Sequence, residues 1–297
     1  MGYRQVVIKK SDKIRTENNN LVVIKGEKEN KIPMEDINFV ILEDNQTVIT
    51  GKLLSSFGEN GICFIACNDK YEPVSIMYPY NYHFKQLENI EYQLNLNSKE
   101  ELKGKIWQEI IVQKIESEIA VLCQTSKDER VISILENYAK EVGPGDKTNR
   151  EGLAAKLYFR SLFGNEFIRF YDDSINHALN YCYQIIKSSI IRTLSIYGLN
   201  TYLGVNHKSK VNNFNLAYDL IEPYRAIADK YVYALLKDHT SELSFELRKQ
   251  LINILNYPVV CENKKCSLEY SIELLIKSYI KTISSGEVKL SFPKLIE

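Results

Sequence analysis

Through about residue 80, short apolar runs recur with polar residues between them: Val6 to Ile8, Leu21 to Ile24, Phe39 to Leu42, Val48 to Thr50 and Ile62 to Ala66. Turn formers separate them, at Asn18-Asn19-Asn20, Glu43-Asp44-Asn45 and Glu59-Asn60-Gly61. Side chains of a strand alternate between its two faces, so β-branched runs at this spacing predict a small antiparallel sheet or sandwich, closed by Pro73 and Pro79. After about residue 83 the apolar period changes from 2 to 3.6 and holds almost to the C-terminus. The pattern therefore predicts an α+β protein, with an N-terminal β domain over residues 1–82 and a larger all-α domain over residues 83–297.

Within the second part, Ser98 and Glu101 have the spacing of a capping box. Behind them Leu102, Ile106, Ile110 and Trp107, Ile111, Ile115, Ile119 recur four apart, two adjacent rows of one helix face. A second helix, 129–142, stops at Gly143-Pro144-Gly145, and a third runs from near Asn149 to Phe163 before Gly164. Ser174 is placed to cap a helix from Ile175 to Tyr197, and a further helix is expected over 215–237. The last begins at Ser267 and ends near Ser284-Ser285-Gly286. The chain has no internal repeat and no low-complexity tract.

Composition narrows the classes. The 297 residues are 44% hydrophobic and 26% charged, the profile of a folded chain with ample core. Lys+Arg 38 cancels Asp+Glu 38, so no global basic field attracts a polyanion and any nucleic-acid site must be local. No apolar run approaches a membrane span and MGYRQVVIKKSDK lacks the apolar core of a signal peptide, which leads to the expectation of a cytoplasmic protein. Six scattered cysteines suit a reducing compartment and form no zinc signature. Cys261 and Cys266 flank the turn residues Asn263 and Lys264 and could face each other across a hairpin, as an ordinary structural pair with a metal or redox role as the alternative.

Familiar motifs for phosphate cradling, dinucleotide binding, zinc hydrolysis and serine catalysis are absent. The four histidines can be weighed singly. His83 at the domain junction and His239 within KDHTSE read as surface residues, and His177 within SINHALNY as a satisfied helix residue. His207 lies instead in the loop GVNHKSKVNN, ahead of the helix NFNLAYDLIEPYR. There Asp219 and Glu222 are three apart and share a face, opposite the apolar Leu216, Leu220 and Tyr224. Pro223 removes one amide and should bend the helix at Glu222, aiming the carboxylate inward. Two acids so spaced are also what a solvated helix face carries. Glu151, in NREGLAAKLYF, stands in the first turn of its helix, where an acid ordinarily complements the dipole; Gly152, Ala154 and Ala155 beside it permit close approach.

Together Glu151, His207 and Glu222, with Asp219 as a possible additional acid, form an oxygen-rich set with one imidazole. Such a set suits Mg²⁺ or Mn²⁺, the imidazole favouring Mn²⁺, and these ions mostly serve phosphate chemistry. Lys156, Arg160, Arg192, Lys208, Lys210 and Arg225 are nearby cations suited to DNA phosphates. Among the 20 tyrosines, Tyr158, Tyr171, Tyr181, Tyr183, Tyr202, Tyr218 and Tyr224 crowd the same region, as core for the most part, with a few available to stack on bases.

NREGLAAKLYF, SINHALNYCYQIIKSSIIRTLSIYGLNTYLGVNH and NFNLAYDLIEPYR, in this order, resemble the CRISPR-associated integrase/endonuclease of spacer acquisition. The N-terminal GYRQVVI fits too. Glu at 222 and NREG at 149–152 look like the type II branch, which accompanies a single-protein RNA-guided nuclease. The resemblance implies that Glu151, His207 and Glu222 hold a divalent metal and that the catalytic domain is the helical one. It also implies that a DNA 3′-hydroxyl attacks a phosphodiester at the edge of a CRISPR repeat, a metal-assisted transesterification. Implied partners are double-stranded DNA, a second copy joined through the β domain, a small second adaptation protein bridging two dimers into a hetero-hexamer, the RNA-guided nuclease and accessory adaptation proteins. Two other classes stay open from the residues themselves: a DNA-binding scaffold with structural carboxylates, and a mobile-element integrase or general nuclease.

Overall fold

The structure, a computed structural model, describes residues 4–80, 85–236 and 243–296. His83, His239 and the first residues of GYRQVVI lie outside them. The chain divides into two compact units, residues 1–84 with 195–198, and residues 85–194 with 199–297.

In the first unit the elements run β1 (Arg4–Ile8), β2 (Lys13–Glu17), β3 (Asn20–Lys25), β4 (Lys28–Pro33), β5 (Ile37–Leu42), β6 (Val48–Ile49), α1 (Gly51–Glu59), β7 (Cys63–Cys67) and β8 (Pro73–Met77). They form two four-stranded sheets, in the orders β1-β5-β7-β8 and β4-β3-β2-β6. One core joins them, drawing Ile8, Val40 and Phe64 from the first sheet, Ile14 and Leu21 from the second, and Leu53 and Phe57 from α1. The sandwich is as expected, but the strands are not all antiparallel. β5 pairs in parallel with β1 and β7, and β2 with β6. The reason is visible in INFVIL of β5, whose six residues are all buried and apolar but for Asn38: a strand with no solvated face is covered on both sides. Helix α1 escapes the period-2 pattern because its nine residues hold little more than Leu53 and Phe57, four apart, behind a Thr50 cap that accepts from Leu53 N at 3.3 Å. β4, KENKIP, is nearly all polar, as suits a sheet edge that must not recruit another strand.

The second unit comprises α2 (Gln86–Asn97), α3 (Glu100–Gln124), α4 (Glu129–Glu141), α5 (Arg150–Phe163), α6 (Ser174–Ile196), α7 (Asn215–Leu220), α8 (Glu222–Leu236), α9 (Phe245–Ile252), the hairpin β9 (Pro258–Cys261) and β10 (Lys264–Ser267), and α10 (Leu268–Ser285). α3 is its spine, packed against α4, α5 and α8. The two rows read from the sequence bury Ile106, Trp107, Ile110, Ile111 and Ile115, each contributing roughly 1.5–3 kcal/mol by removal from water. The same helix also buries Lys103, Gln113, Lys114, Ser117 and Glu118. Polar groups in such positions need partners, and those partners build the site below.

Three local expectations change. Ser98 closes α2 instead of opening α3: its hydroxyl donates to the Asn95 carbonyl at 2.8 Å, so no capping box forms. The helix expected over 215–237 breaks at Ile221 into α7 and α8, the bend Pro223 requires. The unit is not wholly helical, since β9 and β10 pair antiparallel. There Cys261 pairs with Lys264 and Cys266 with Val259, so the two cysteines are staggered along the hairpin rather than opposed. Among the described residues no helix is long and apolar enough to cross a membrane.

Candidate metal and catalytic site

Asp219 organises the loop that carries His207. It is fully buried on α7 and accepts from the amides of Val205 (2.5 Å), Asn206 (3.1 Å) and His207 (3.0 Å), and from His207 Nδ1 at 2.7 Å. A carboxylate oxygen only accepts, so Nδ1 carries the proton and Nε2 is left as the imidazole's lone-pair nitrogen. This is the arrangement in which a carboxylate orients a metal-ligating histidine from behind. Asp219 thereby takes the role of orienting acid, not of a group presented beside Glu222 on a solvated face. The hydrogen bond to Asp219 is the main cause of the raised pKa of His207. The ring lies edge-on to Trp107 of α3 at 6.0 Å and 6.0 Å from Tyr218, which fixes its plane.

The loop reaches this conformation only because residue 204 has no side chain. A Cβ there would lie 2.5 Å from His207 O, 2.8 Å from Asp219 Oδ2 and 3.0 Å from Asn215 Cβ. Gly204→Ala should therefore open the amide clamp and lower the thermal midpoint by about 5 °C, read by thermal denaturation. An unchanged midpoint would show that the loop can relax around the methyl.

Glu151 and Glu222 are brought together by Lys114. Its ammonium lies 2.6 Å from Glu151 Oε1 and 2.6 Å from Glu222 Oε2, with the lysine side chain 8% exposed and Glu222 5%. Two carboxylates from helices α5 and α8 thus touch one cation rising from α3. Arg225, one turn after Glu222, donates from Nε to its Oε1 at 2.9 Å. Burial alone would raise the Glu222 pKa; Lys114 and Arg225 outweigh it and hold the carboxyl at about 2. For Lys114, burial opposes the charge and the two glutamates outweigh it, so it stays protonated.

The network continues inward. Arg225 lies over the Tyr183 ring at 4.8 Å, and the Tyr183 hydroxyl donates to Asp229, whose carboxyl burial raises to about 6. Glu118, one turn beyond Lys114, is buried with no hydrogen-bond partner for Oε2, and burial pushes its carboxyl up to about 8. An acid whose folded pKa exceeds its unfolded value stabilises below the unfolded pKa, and that contribution is lost as pH rises through the folded one. Wild type and Glu118→Gln should therefore match near pH 4, and the variant should gain on the order of 5 °C over wild type by pH 8.5 in denaturation scans. Parallel pH profiles would place an ionised Glu118 in the fold.

The metal set expected from the motifs is thus assembled in part. Among the described residues no three His, Cys, Asp or Glu side chains converge closely enough to hold an ion as they stand. The donor chemistry nevertheless fits a hard divalent cation. Glu151 and Glu222 already share one cation, and His207, close enough to feel the charge of both, has its Nδ1 fixed by Asp219.

Of the cations expected on DNA, Lys156 and Arg160 on α5 and Lys208 and Lys210 in the His207 loop are exposed. Arg225 is the counter-ion of Glu222. Arg192 is 3% exposed and 4.0 Å from Glu269, which corrects its place among surface cations. Tyr158, Tyr181, Tyr183 and Tyr224 are buried, whereas Tyr171 and Tyr202 are exposed. His177 is paired with Asp172 at 2.8 Å, as expected of a satisfied helix residue. The sequence pattern does not single out Lys114 and Glu118, and it places Trp107 only as a core residue of an apolar row. The available signal was a lysine and a glutamate inside the apolar rows of α3, KIWQEIIVQKIESEI, where a surface helix would keep its charges on the other side.

The description "CRISPR associated protein Cas1" belongs to a family model that matches residues 6–257. The chain belongs to the Cas1 family. It is 34% identical to a CRISPR-associated endonuclease Cas1 of Neisseria meningitidis serogroup C (strain 8013), over all of this chain and 97% of that protein. A second Cas1 endonuclease, of Korarchaeum cryptofilum, is 22% identical over 90% of each chain. Among solved structures, a casposase bound to integration product superposes with TM-score 0.82 at 19% identity, covering 97% of this chain and 92% of that one. A Cas1 protein from Thermotoga maritima gives 0.78 at 16% identity, covering 96% and 98%. These superpositions bear out the α+β architecture.

Proposed function

We propose that this chain is a metal-dependent DNA integrase and endonuclease of CRISPR spacer acquisition, of the type II branch, acting in the cytoplasm on a CRISPR array. The observation that carries the reading is the convergence of Glu151 and Glu222, distant in the chain, on one cation, with His207 oriented from behind by Asp219. Its Cas1 endonuclease relatives, and the casposase seen with an integration product, support the same chemistry.

Glu151, His207 Nε2 and Glu222 would hold Mg²⁺ or Mn²⁺. Such an ion polarises a phosphoryl oxygen and stabilises the attacking and leaving oxygens. The 3′-hydroxyl of the pre-spacer forms a new P–O bond at the repeat edge as the bond to the departing 3′-oxygen of the repeat strand breaks. One phosphodiester replaces another, and no covalent enzyme intermediate arises. Asp219 keeps the proton on Nδ1 so that Nε2 stays a donor to the metal. Lys156, Arg160, Lys208 and Lys210 take the DNA backbone, with Arg225 serving the site through Glu222. A homodimer formed through the β units, and a hetero-hexamer with the small second adaptation protein, complete the assembly, which the RNA-guided nuclease and accessory adaptation proteins join. In a solved Cas6-RT-Cas1–Cas2 complex one chain carries this fold over 35% of its length, superposing on 96% of this chain with TM-score 0.75 at 20% identity.

The test is a strand-joining reaction with a CRISPR repeat, the small adaptation protein and Mn²⁺, with products sequenced. Joining at the repeat edges that EDTA abolishes is expected. Joining scattered over unrelated DNA would favour a mobile-element integrase or general nuclease, and DNA binding with no Mn²⁺-dependent product a scaffold.

A further inference from the structure

Lys114 does more in this geometry than neutralise charge. Its ammonium occupies the carboxylate oxygens of Glu151 and Glu222 at 2.6 Å each, oxygens that the function proposed above assigns to a divalent ion. A hard cation and an ammonium cannot both take the same lone pairs at short distance, and their like charges repel in a site this buried. A second observation shows where the ammonium would go. Four residues on, one turn along the same face of α3, Glu118 is 2% exposed and its Oε2 has no hydrogen-bond partner. Lys114 therefore has an occupied pair of partners and an empty one within the sweep of a single side chain.

We propose that Lys114 is the resident cation of the metal-free site, holding Glu151 and Glu222 together until a divalent ion displaces it towards Glu118. The proposal rests on the metal-binding reading of Glu151 and Glu222. It makes Lys114 a positioning residue. The two carboxylates stay paired and the fold stays neutral there without metal, and the divalent ion binds only by competing for them. Loading is thereby weakened in wild type and set by the difference between two charge arrangements inside one protein.

The test is calorimetric titration of the full-length protein with Mn²⁺, in wild type, Lys114→Met, Glu118→Gln and the double variant. Lys114→Met should bind Mn²⁺ ~10-fold more tightly, because nothing is displaced. Its metal-free thermal midpoint should fall and should recover more on Mn²⁺ addition than that of wild type. Glu118→Gln should weaken binding by about 3-fold, since the displaced ammonium loses its new partner, and that effect should vanish in the Lys114→Met background. Unchanged or weaker binding by Lys114→Met, or a Glu118→Gln effect that persists without the lysine, overturns the proposal. If Lys114→Met does not fold, a Mn²⁺-soaked crystal of wild type decides. Lys114 moved from at least one glutamate towards Glu118 supports displacement, and an ammonium still bonded to both glutamates beside the ion refutes it. Wild type that binds no Mn²⁺ by way of Glu222 removes the metal reading and this inference with it; binding that fails only the lysine tests removes the inference alone.

Discussion

Glu151→Ala should abolish strand joining, with a loss on the order of 10³-fold or more, while leaving the fold intact. Glu151 is the better acid to remove, for a physical reason. Its side chain is 29% exposed and has one charged partner, Lys114, which keeps Glu222 after the change. Glu222 is 5% exposed and pairs with both Lys114 and Arg225, so Glu222→Ala leaves two cations without it and costs about 3–5 kcal/mol of stability. Lost activity in that variant would confuse chemistry with folding. The measurement is joining of a labelled pre-spacer to a repeat substrate at saturating Mn²⁺, with the thermal midpoint recorded alongside. Joining that survives at more than about a tenth of wild type would remove Glu151 from the catalytic set.

Asp219→Ala should be strongly destabilising. It strips acceptors from three successive amides and from His207 Nδ1, of which the Val205 amide is buried and the others partly so. Orphaned buried donors cost roughly 1–3 kcal/mol each, so a loss of about 4 kcal/mol and a midpoint lower by about 10 °C are expected. Asp219→Asn separates the two duties of the residue. It keeps the shape, but its NH₂ must face either the amides or the imidazole. When it faces the imidazole it forces the proton onto Nε2, which can then no longer bind a metal. Mn²⁺ affinity should fall 10- to 100-fold with a smaller stability loss than for alanine, the range found for groups that orient metal ligands. Equal stability losses and unchanged Mn²⁺ affinity would reduce Asp219 to a loop staple.

The architecture was legible where one periodicity ran long enough to dominate. The switch from period 2 to 3.6, the stops at Gly143-Pro144-Gly145 and Gly164, the Ser267 cap of α10 and the bend before Pro223 all depend on residues within a few positions of each other. A short helix and the direction of strand pairing were not legible. α1 has little more than Leu53 and Phe57 to show for itself, and the apolar run of β5 marks a strand without saying that its neighbours run parallel to it. Ser98 shows the limit of a local signature, because two helix ends compete for one hydroxyl and the spacing does not say which wins.

The chemistry divides along the same line. Which residue types gather in NREG, GVNH and the helix around Asp219 and Glu222 is a property of the one-dimensional chain, and with it the family and the acids worth testing. How those groups meet was decided in three dimensions. A buried side chain takes its partner from whichever helix packs against it, and that partner lies anywhere in the polymer. So Lys114, from the middle of α3, came to stand between two glutamates that no spacing connects, and Asp219 turned from a possible additional acid into the clamp behind His207.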